Sequence, residues 1–530
     1  MPTVSILLDN AKLAAAPGPN PLQAIAITGD RIVAVAKRDE LDTLVGPDTQ
    51  VINAGGRSVL PGLVDSHLHL ALYALQLDQI DCATPSLDEC LARVQQRAAS
   101  APPDAWVRGH GWNQNDWDGY GTADQLDSAA EGRPAYLTAK SLHAAWASRA
   151  ALRQAGVDST TPDPPGGHIQ RDQDGHPTGI LFECAMDLVA AAIPSTTPER
   201  LAHSLPPALD NLLRFGLTGV HDFDGPTCLR ALQLLRQRGQ LSLRVHKHLQ
   251  RPQLDAARSL GLHTGFGDAW LRIGNLKVFA DGALGPRTAW MLEAYAGEPT
   301  NLGLGQITGE ELLALGKQAA AGGIALAVHA IGDRANREVL DAFAALRQFE
   351  SQSGIVGLRH RMEHLQLLHP QDVPRPAQLG IIASMQPIHA TSDMQMAERY
   401  WGSRAQHAYA WNSLLDTGAT LIFGSDAPVE TPNPFLGLHA AVTRCRLDGA
   451  PAPTGWNPAQ RISLHQAVRA YTIGPATAAG TEAYLGRLAP GYLADLIVLD
   501  RDPYEVPPEE LPGLRPVATM VSGVFRYRDF

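Results

Sequence analysis

The chain has 530 residues, 45% hydrophobic and 18% charged, the composition of an ordinary globular chain long enough to bury its core without disulfide staples. Its formal charge is −11, with 43 Lys and Arg against 54 Asp and Glu and no basic cluster, which argues against nucleic-acid binding. Five cysteines, an odd number with no CxxC pair, argue against a disulfide scaffold or a zinc ribbon.

The first 60 residues read as short strands: Val4–Leu8, Ala24–Thr28 and Arg31–Ala36 around the hairpin signal Gly29-Asp30, and 51–53 before Gly55-Gly56. Near the other end, Leu496–Leu499 and Val517–Val524 read as strands. Two strand-rich ends predict one small β-domain assembled from residues 1–60 and 483–530. Between them, short β-type runs such as Leu271–Phe279 and Ile381–Met385 alternate with Ala- and Leu-rich helical stretches such as Pro198–Arg214 and Asp333–Arg347. That alternation predicts an α/β barrel over 61–482. Residues 106–177, rich in Gly, Trp, Asn, Asp and Pro, break the rhythm and read as a loop-like insertion that lids the barrel mouth. No basic n-region starts the chain and no run of 18 apolar residues occurs, so neither a signal peptide nor a membrane span is expected. A reduced cytoplasmic setting fits the cysteine usage, and a homodimer is the base-rate expectation.

The chemistry starts at Leu60-Pro-Gly-Leu-Val-Asp-Ser-His67-Leu-His69. On a strand, His67 and His69 share a face, where two imidazoles can bind one metal ion. A bare pair of this kind is more often two hydrogen-bonded core histidines, and the second one, His246-Lys-His248, is read as structural. Lys277 lies inside an apolar strand, Asn275–Asp281. A buried lysine must lose or pair its charge, through carbamylation by carbon dioxide or through Asp281 or Glu183. His329 closes an apolar run, His364 closes another with His360 and His369 less well placed, and Asp426 ends Leu421-Ile-Phe-Gly-Ser-Asp. Such strand ends line the active face of a barrel. In the insertion, Trp112, Trp117, His143 and Trp146 either line a substrate pocket or pack it.

These segments resemble the amidohydrolase superfamily, and within it the amidohydrolase 3 branch of N-substituted formamide deformylase-like proteins. The matching stretches include LPGLVDSHLHL (60–70), KVFADGALGPRTA (277–289), VHAIGDRAN (328–336), RHRMEHLQ (359–366), SMQPIHATSD (384–393), GSDAPVETPNP (424–434) and GYLADLIVLDRDP (491–503). They span nearly the whole chain. The resemblance implies a (β/α)8 TIM-like barrel plus a small β-sandwich from both termini. It implies metal ligands at His67, His69, Lys277 (carboxylated in binuclear relatives), His329, His364 and Asp426, with Asp426 also shuttling protons. Asp281, Arg287, Arg334 and His389 lie in matching motifs and are expected to support the ligands or meet the substrate, with Glu183 a competing acidic partner.

The expected cofactor is Zn²⁺, as one or two ions, with Mn²⁺ or Co²⁺ as alternatives. The expected reaction is hydrolysis of a non-peptide C–N bond in an N-substituted amide, formamide or carbamate carrying an apolar or aromatic group. A heterocycle deaminase is the alternative, disfavoured because Ala-Ile-Gly-Asp follows His329 with no glutamate. A non-catalytic regulatory barrel is the third reading, against which stand six filled metal positions.

Overall fold

The computed structural model describes residues 3–14, 21–77, 79–102, 105–114, 117, 119–139, 144–165 and 167–530. The chain forms two compact units, one of residues 1–72 and 202–530, the other Tyr73–Leu201.

In the first unit, eight parallel strands follow chain order around a sheet: β1 (Leu63–Leu68), β2 (Leu217–Asp222), β3 (Arg244–Gln250), β4 (Leu271–Phe279), β5 (Leu326–Ala330), β6 (Arg361–His364), β7 (Ile382–Met385) and β8 (Leu421–Phe423). A parallel bridge between Leu68 and Ala427 brings the eighth back to the first, which makes the sheet a near-closed TIM-like barrel. The strands are buried on both faces, which is why they read as apolar runs rather than alternations. Closure depends on a small residue. A Cβ on Gly424 would lie 2.4 Å from His67 N and 2.7 Å from Asp65 Oδ1, so β8 approaches β1 only because position 424 has no side chain.

The barrel interior holds polar side chains. Arg361 is buried and donates from Nη1 to His221 Nδ1 (2.9 Å) and from Nη2 to Ser66 O (2.7 Å) and Ser384 Oγ (2.8 Å). His246 and His248 pack edge to face beside His221, and His248 Nδ1 accepts the Asn275 N–H at 2.8 Å. This is the place of the second HxH pair.

Both termini of the same unit contribute to one further eight-stranded sheet, with Ile6–Leu13, Leu22–Thr28, Arg31–Ala36, Gln50–Asn53 and Ser58–Pro61 joined to Leu496–Leu499, Pro516–Val521 and Val524–Arg528. The single strand expected at Val517–Val524 is instead two antiparallel strands. Ser522 (φ 55°) and Gly523 (φ 75°) turn the chain between them, since two consecutive positive φ values make a tight hairpin.

The second unit is wider than the insertion expected at 106–177, and it is regular rather than loop-like. Its six-stranded sheet runs Ile80–Asp81, Val107–Trp112, Ala135–Ala139, Ala144–Ala147, Pro177–Glu183, Gly167–Arg171. Glycine disguises the strand Val107–Trp112: a Cβ at Gly109 would meet Cys82 Sγ at 2.6 Å and Leu137 Cδ2 at 2.8 Å, so close packing requires a residue that otherwise weakens strands. Trp112, Trp117 and Trp146 form this unit's core. Their indole N–H groups donate to Leu137 O (2.8 Å), Thr84 O (3.0 Å) and Thr122 O (2.9 Å). Of the two alternatives for Trp112 and Trp117, lining a substrate pocket or packing the insertion, the structure shows packing. His143 lies outside the described residues. Among the described residues all five cysteines are free, and no helix is long and apolar enough to cross a membrane.

Candidate metal centre

The ends of β1, β5, β6 and β8 bring four histidines and one carboxylate together. Asp426 Oδ1 lies 3.5 Å from His67 Nε2 and 3.4 Å from His69 Nε2. The His364 ring centroid is 4.9 Å from that of His67 and 4.6 Å from that of His329. Asp426 adopts φ 60° and His364 φ 74°, left-handed conformations that cost energy in residues other than glycine and cluster at functional sites. The Asp426 conformation is pinned locally: Asp426 N–H donates to His67 O (2.6 Å), and Asp65 accepts from Ser425 N (3.0 Å), Ser425 Oγ (2.6 Å) and His67 N (3.0 Å).

Each of these histidines has one ring nitrogen held by the protein. His67 Nδ1 pairs with Glu363 Oε2 (2.7 Å), His69 Nδ1 with Asp224 Oδ1 (3.2 Å), His364 Nδ1 with Gln386 Oε1 (2.7 Å), and His329 Nε2 with Gly282 O (3.0 Å). This is how metal-binding imidazoles are oriented, one nitrogen fixed and the other turned to the ion. Glu363, Asp224 and Gln386 were not anticipated from the sequence. The readable signal was Arg361-Met-Glu363, two charges two residues apart on one face of a buried strand, which must pair to be tolerated.

Electrostatics suits cation binding. Burial pushes the His67 pKa down to about 4 and that of His329 to about 3, so both are neutral and can donate a lone pair. Burial alone would raise Asp426, but the neighbouring His67, His69 and His364 hold it well below the ordinary range, ionised. Burial likewise opposes charge on His69, yet its bonds to Asp224 and Asp426 push it up to about 10. A proton and a cation compete there for the same lone pair.

Lys277 projects from β4 and is 3% exposed. Its Nζ lies 4.7 Å from the Phe223 ring centroid and 4.6 Å from that of Phe279. Among the described residues no carboxylate pairs with it, and burial brings its pKa down to about 8. The expected partner Asp281 is engaged elsewhere, accepting from the backbone of Trp290 (2.9 Å), Ile331 (3.0 Å) and Gly332 (2.8 Å). It thereby ties the loop after β4 to the end of β5. Glu183 ends its strand in the second unit, exposed, with φ 49°. Arg287 bonds Glu298 and lies 5.4 Å from the Tyr400 ring, and Arg334 stacks 4.5 Å from the Trp290 ring. Both arginine side chains are 41% exposed, and their contacts with Glu298, Tyr400 and Trp290 involve none of the four histidines or Asp426.

The donors fit a divalent metal. One atom each from His67, His69 and Asp426 lies within 4.8 Å of the others, as does one each from His364, His389 and Asp426. Three N/O donors are what a catalytic zinc site requires, with His69 giving up its proton as the ion binds.

The amidohydrolase family model matches residues 50–527. The N-substituted formamide deformylase of Arthrobacter pascens is 31% identical over 528 residues, covering 95% of each chain. Protein LONG AFTER FAR-RED 3 of Arabidopsis thaliana is 34% identical over 500 residues, covering 91% of this chain and 84% of that one. An uncharacterised metal-dependent hydrolase of Pyrococcus horikoshii superposes with a TM-score of 0.80 at 27% identity, covering 95% of this chain and 99% of that one. The chain therefore belongs to the amidohydrolase family, in its amidohydrolase 3 branch, and is a metal-dependent hydrolase.

Proposed function

We propose that this protein hydrolyses a non-peptide C–N bond in a small N-substituted amide, formamide or carbamate. The observation that carries the reading is Asp426: an ionised carboxylate within 3.5 Å of the Nε2 atoms of two histidines whose Nδ1 atoms are held by other carboxylates. That is where a general base for water must stand. The similarity to an N-substituted formamide deformylase supports the substrate class.

His67, His69, His329, His364 and Asp426 would hold the cation, with Zn²⁺ best suited to the nitrogen-rich set and Mn²⁺ or Co²⁺ as alternatives. When bound, the ion supplies a water of lowered pKa and polarises the carbonyl. Asp426 takes a proton from the attacking water as the new C–O bond forms. It returns that proton to the departing nitrogen as the C–N bond breaks, giving an acid and an amine. Lys277, buried and brought down to about 8, presents enough free amine at neutral pH to take up carbon dioxide. Carboxylated, it adds an anionic oxygen to the donor set and removes its own buried positive charge.

The test is a metal analysis paired with a screen of N-acyl, N-formyl and carbamate derivatives of aromatic amines. Turnover in the wild type, with both activity and bound metal lost in His67→Ala, is the expected result. A fully active metal-free protein would overturn it.

A further inference from the structure

We propose that His389 is a catalytic residue that donates a hydrogen bond to the acyl oxygen of the substrate. The assignment rests on the hydrolase reading above and names a group that reading does not use.

His389 is the third residue of the helix Pro387–Trp401, which begins directly after β7. It is 7% exposed, and among the described residues neither ring nitrogen makes a hydrogen bond. A buried imidazole left unpaired at both nitrogens is costly and needs an explanation. The nearest carboxylate on its own helix face, Asp393, is taken by Tyr409 Oη at 2.6 Å. Yet His389 faces the centre: its Nε2 is 4.0 Å from Asp426 Oδ2, and its ring stacks at 6.1 Å on His364.

Proximity alone would make it another metal ligand. The pattern of fixed nitrogens argues otherwise. His67, His69, His329 and His364 each have one nitrogen anchored by the protein, as ligands do, and His389 has neither. What it offers is a buried, unspent N–H beside the general base. It stands in the first turn of a 15-residue helix, whose dipole favours negative charge at that end. A carbonyl oxygen that gains charge as water adds to its carbon is the partner that geometry suits. No bond to His389 forms or breaks; its proton stays on the ring while the hydrogen bond strengthens.

The experiment compares wild type, His389→Ala and His389→Gln on formanilide, reading kcat, KM, bound metal and the visible spectrum of the Co²⁺-substituted protein. In His389→Ala, kcat is expected to fall about 100- to 1,000-fold, the usual effect of losing one oxyanion donor. KM, metal content and the Co²⁺ spectrum are expected to match wild type, and His389→Gln, which keeps an N–H donor, to recover part of the loss. Should His389→Ala not fold, His389→Gln and His389→Met make the same comparison, donor present against donor absent. Loss of metal or a changed Co²⁺ spectrum would make His389 a ligand and overturn the proposal; so would a kcat within about twofold of wild type. A wild-type protein inert on every N-acyl, N-formyl and carbamate compound would instead overturn the functional reading itself.

Discussion

Glu363 Oε2 lies 2.7 Å from His67 Nδ1, and the same carboxylate is gripped by the Arg361 guanidinium. All three side chains are at most 1% exposed. The carboxylate therefore commits His67 to the tautomer that carries its proton on Nδ1, leaving Nε2 as the lone pair facing Asp426. Glu363→Gln keeps the shape but weakens that bias, and metal affinity is expected to fall about 10- to 100-fold, measured by titration against a buffered chelator. Glu363→Ala leaves Arg361 buried without its partner and is expected to cost about 3–5 kcal/mol of stability, read by denaturant unfolding.

The same pair predicts a pH dependence for the metal-free protein. Burial alone would raise the Glu363 pKa, but Arg361 and His67 hold it well below the ordinary 4.5. A carboxyl group depressed in the folded state adds stability above its unfolded pKa and loses that contribution as pH falls through the folded value. Wild type is thus expected to be more stable than Glu363→Gln at pH 7, with the gap narrowing below about pH 4.5. A gap that widens on acidification would contradict the arrangement.

Lys277→Met replaces a buried amine with an apolar side chain of similar length. Removing a charge that burial disfavours is expected to leave the fold intact and no less stable. Metal content and turnover are expected to drop by at least about tenfold. In carbon dioxide-depleted buffer the wild type is expected to lose activity and regain it with bicarbonate, whereas Lys277→Met responds to neither.

What could be read from the sequence is what repeats along the chain. The strands of the barrel announce themselves because a strand buried on both faces is an unbroken apolar run, and His329, His364 and Asp426 stand where such runs end. The helix Pro198–Arg214 coincides with its expected bounds. What could not be read depends on contacts between distant segments. Glu363 meets His67 across 296 positions and Asp224 meets His69 across 155; no local pattern encodes either pairing. The second unit misled for a different reason. Gly109 and the tryptophans look like a binding loop when only composition is visible, and become a packed sheet once Cys82 and Leu137 close on the glycine. Arg287 and Arg334 sit in motifs beside the site, and their contacts are with Glu298, Tyr400 and Trp290.

Gly424 gives the last prediction, because it couples barrel closure to the centre. Its φ is not left-handed, so an alanine would be tolerated by the backbone; the obstacle is space. The added Cβ would lie 2.4 Å from His67 N and 2.7 Å from Asp65 Oδ1, and neither atom belongs to a flexible chain end. Asp65 is fixed by Ser425 and by His67 N–H, and the His67 backbone carbonyl accepts from Asp426 N–H. Relieving the clash must therefore move β8 away from β1 and carry Asp426 from His67 and His69. Overpacking of this kind costs about 1–3 kcal/mol. Gly424→Ala is expected to lose that much stability in denaturant unfolding and also to bind metal more weakly than wild type. A variant destabilised to that degree but with wild-type metal affinity would show that the strand shifts without moving the carboxylate.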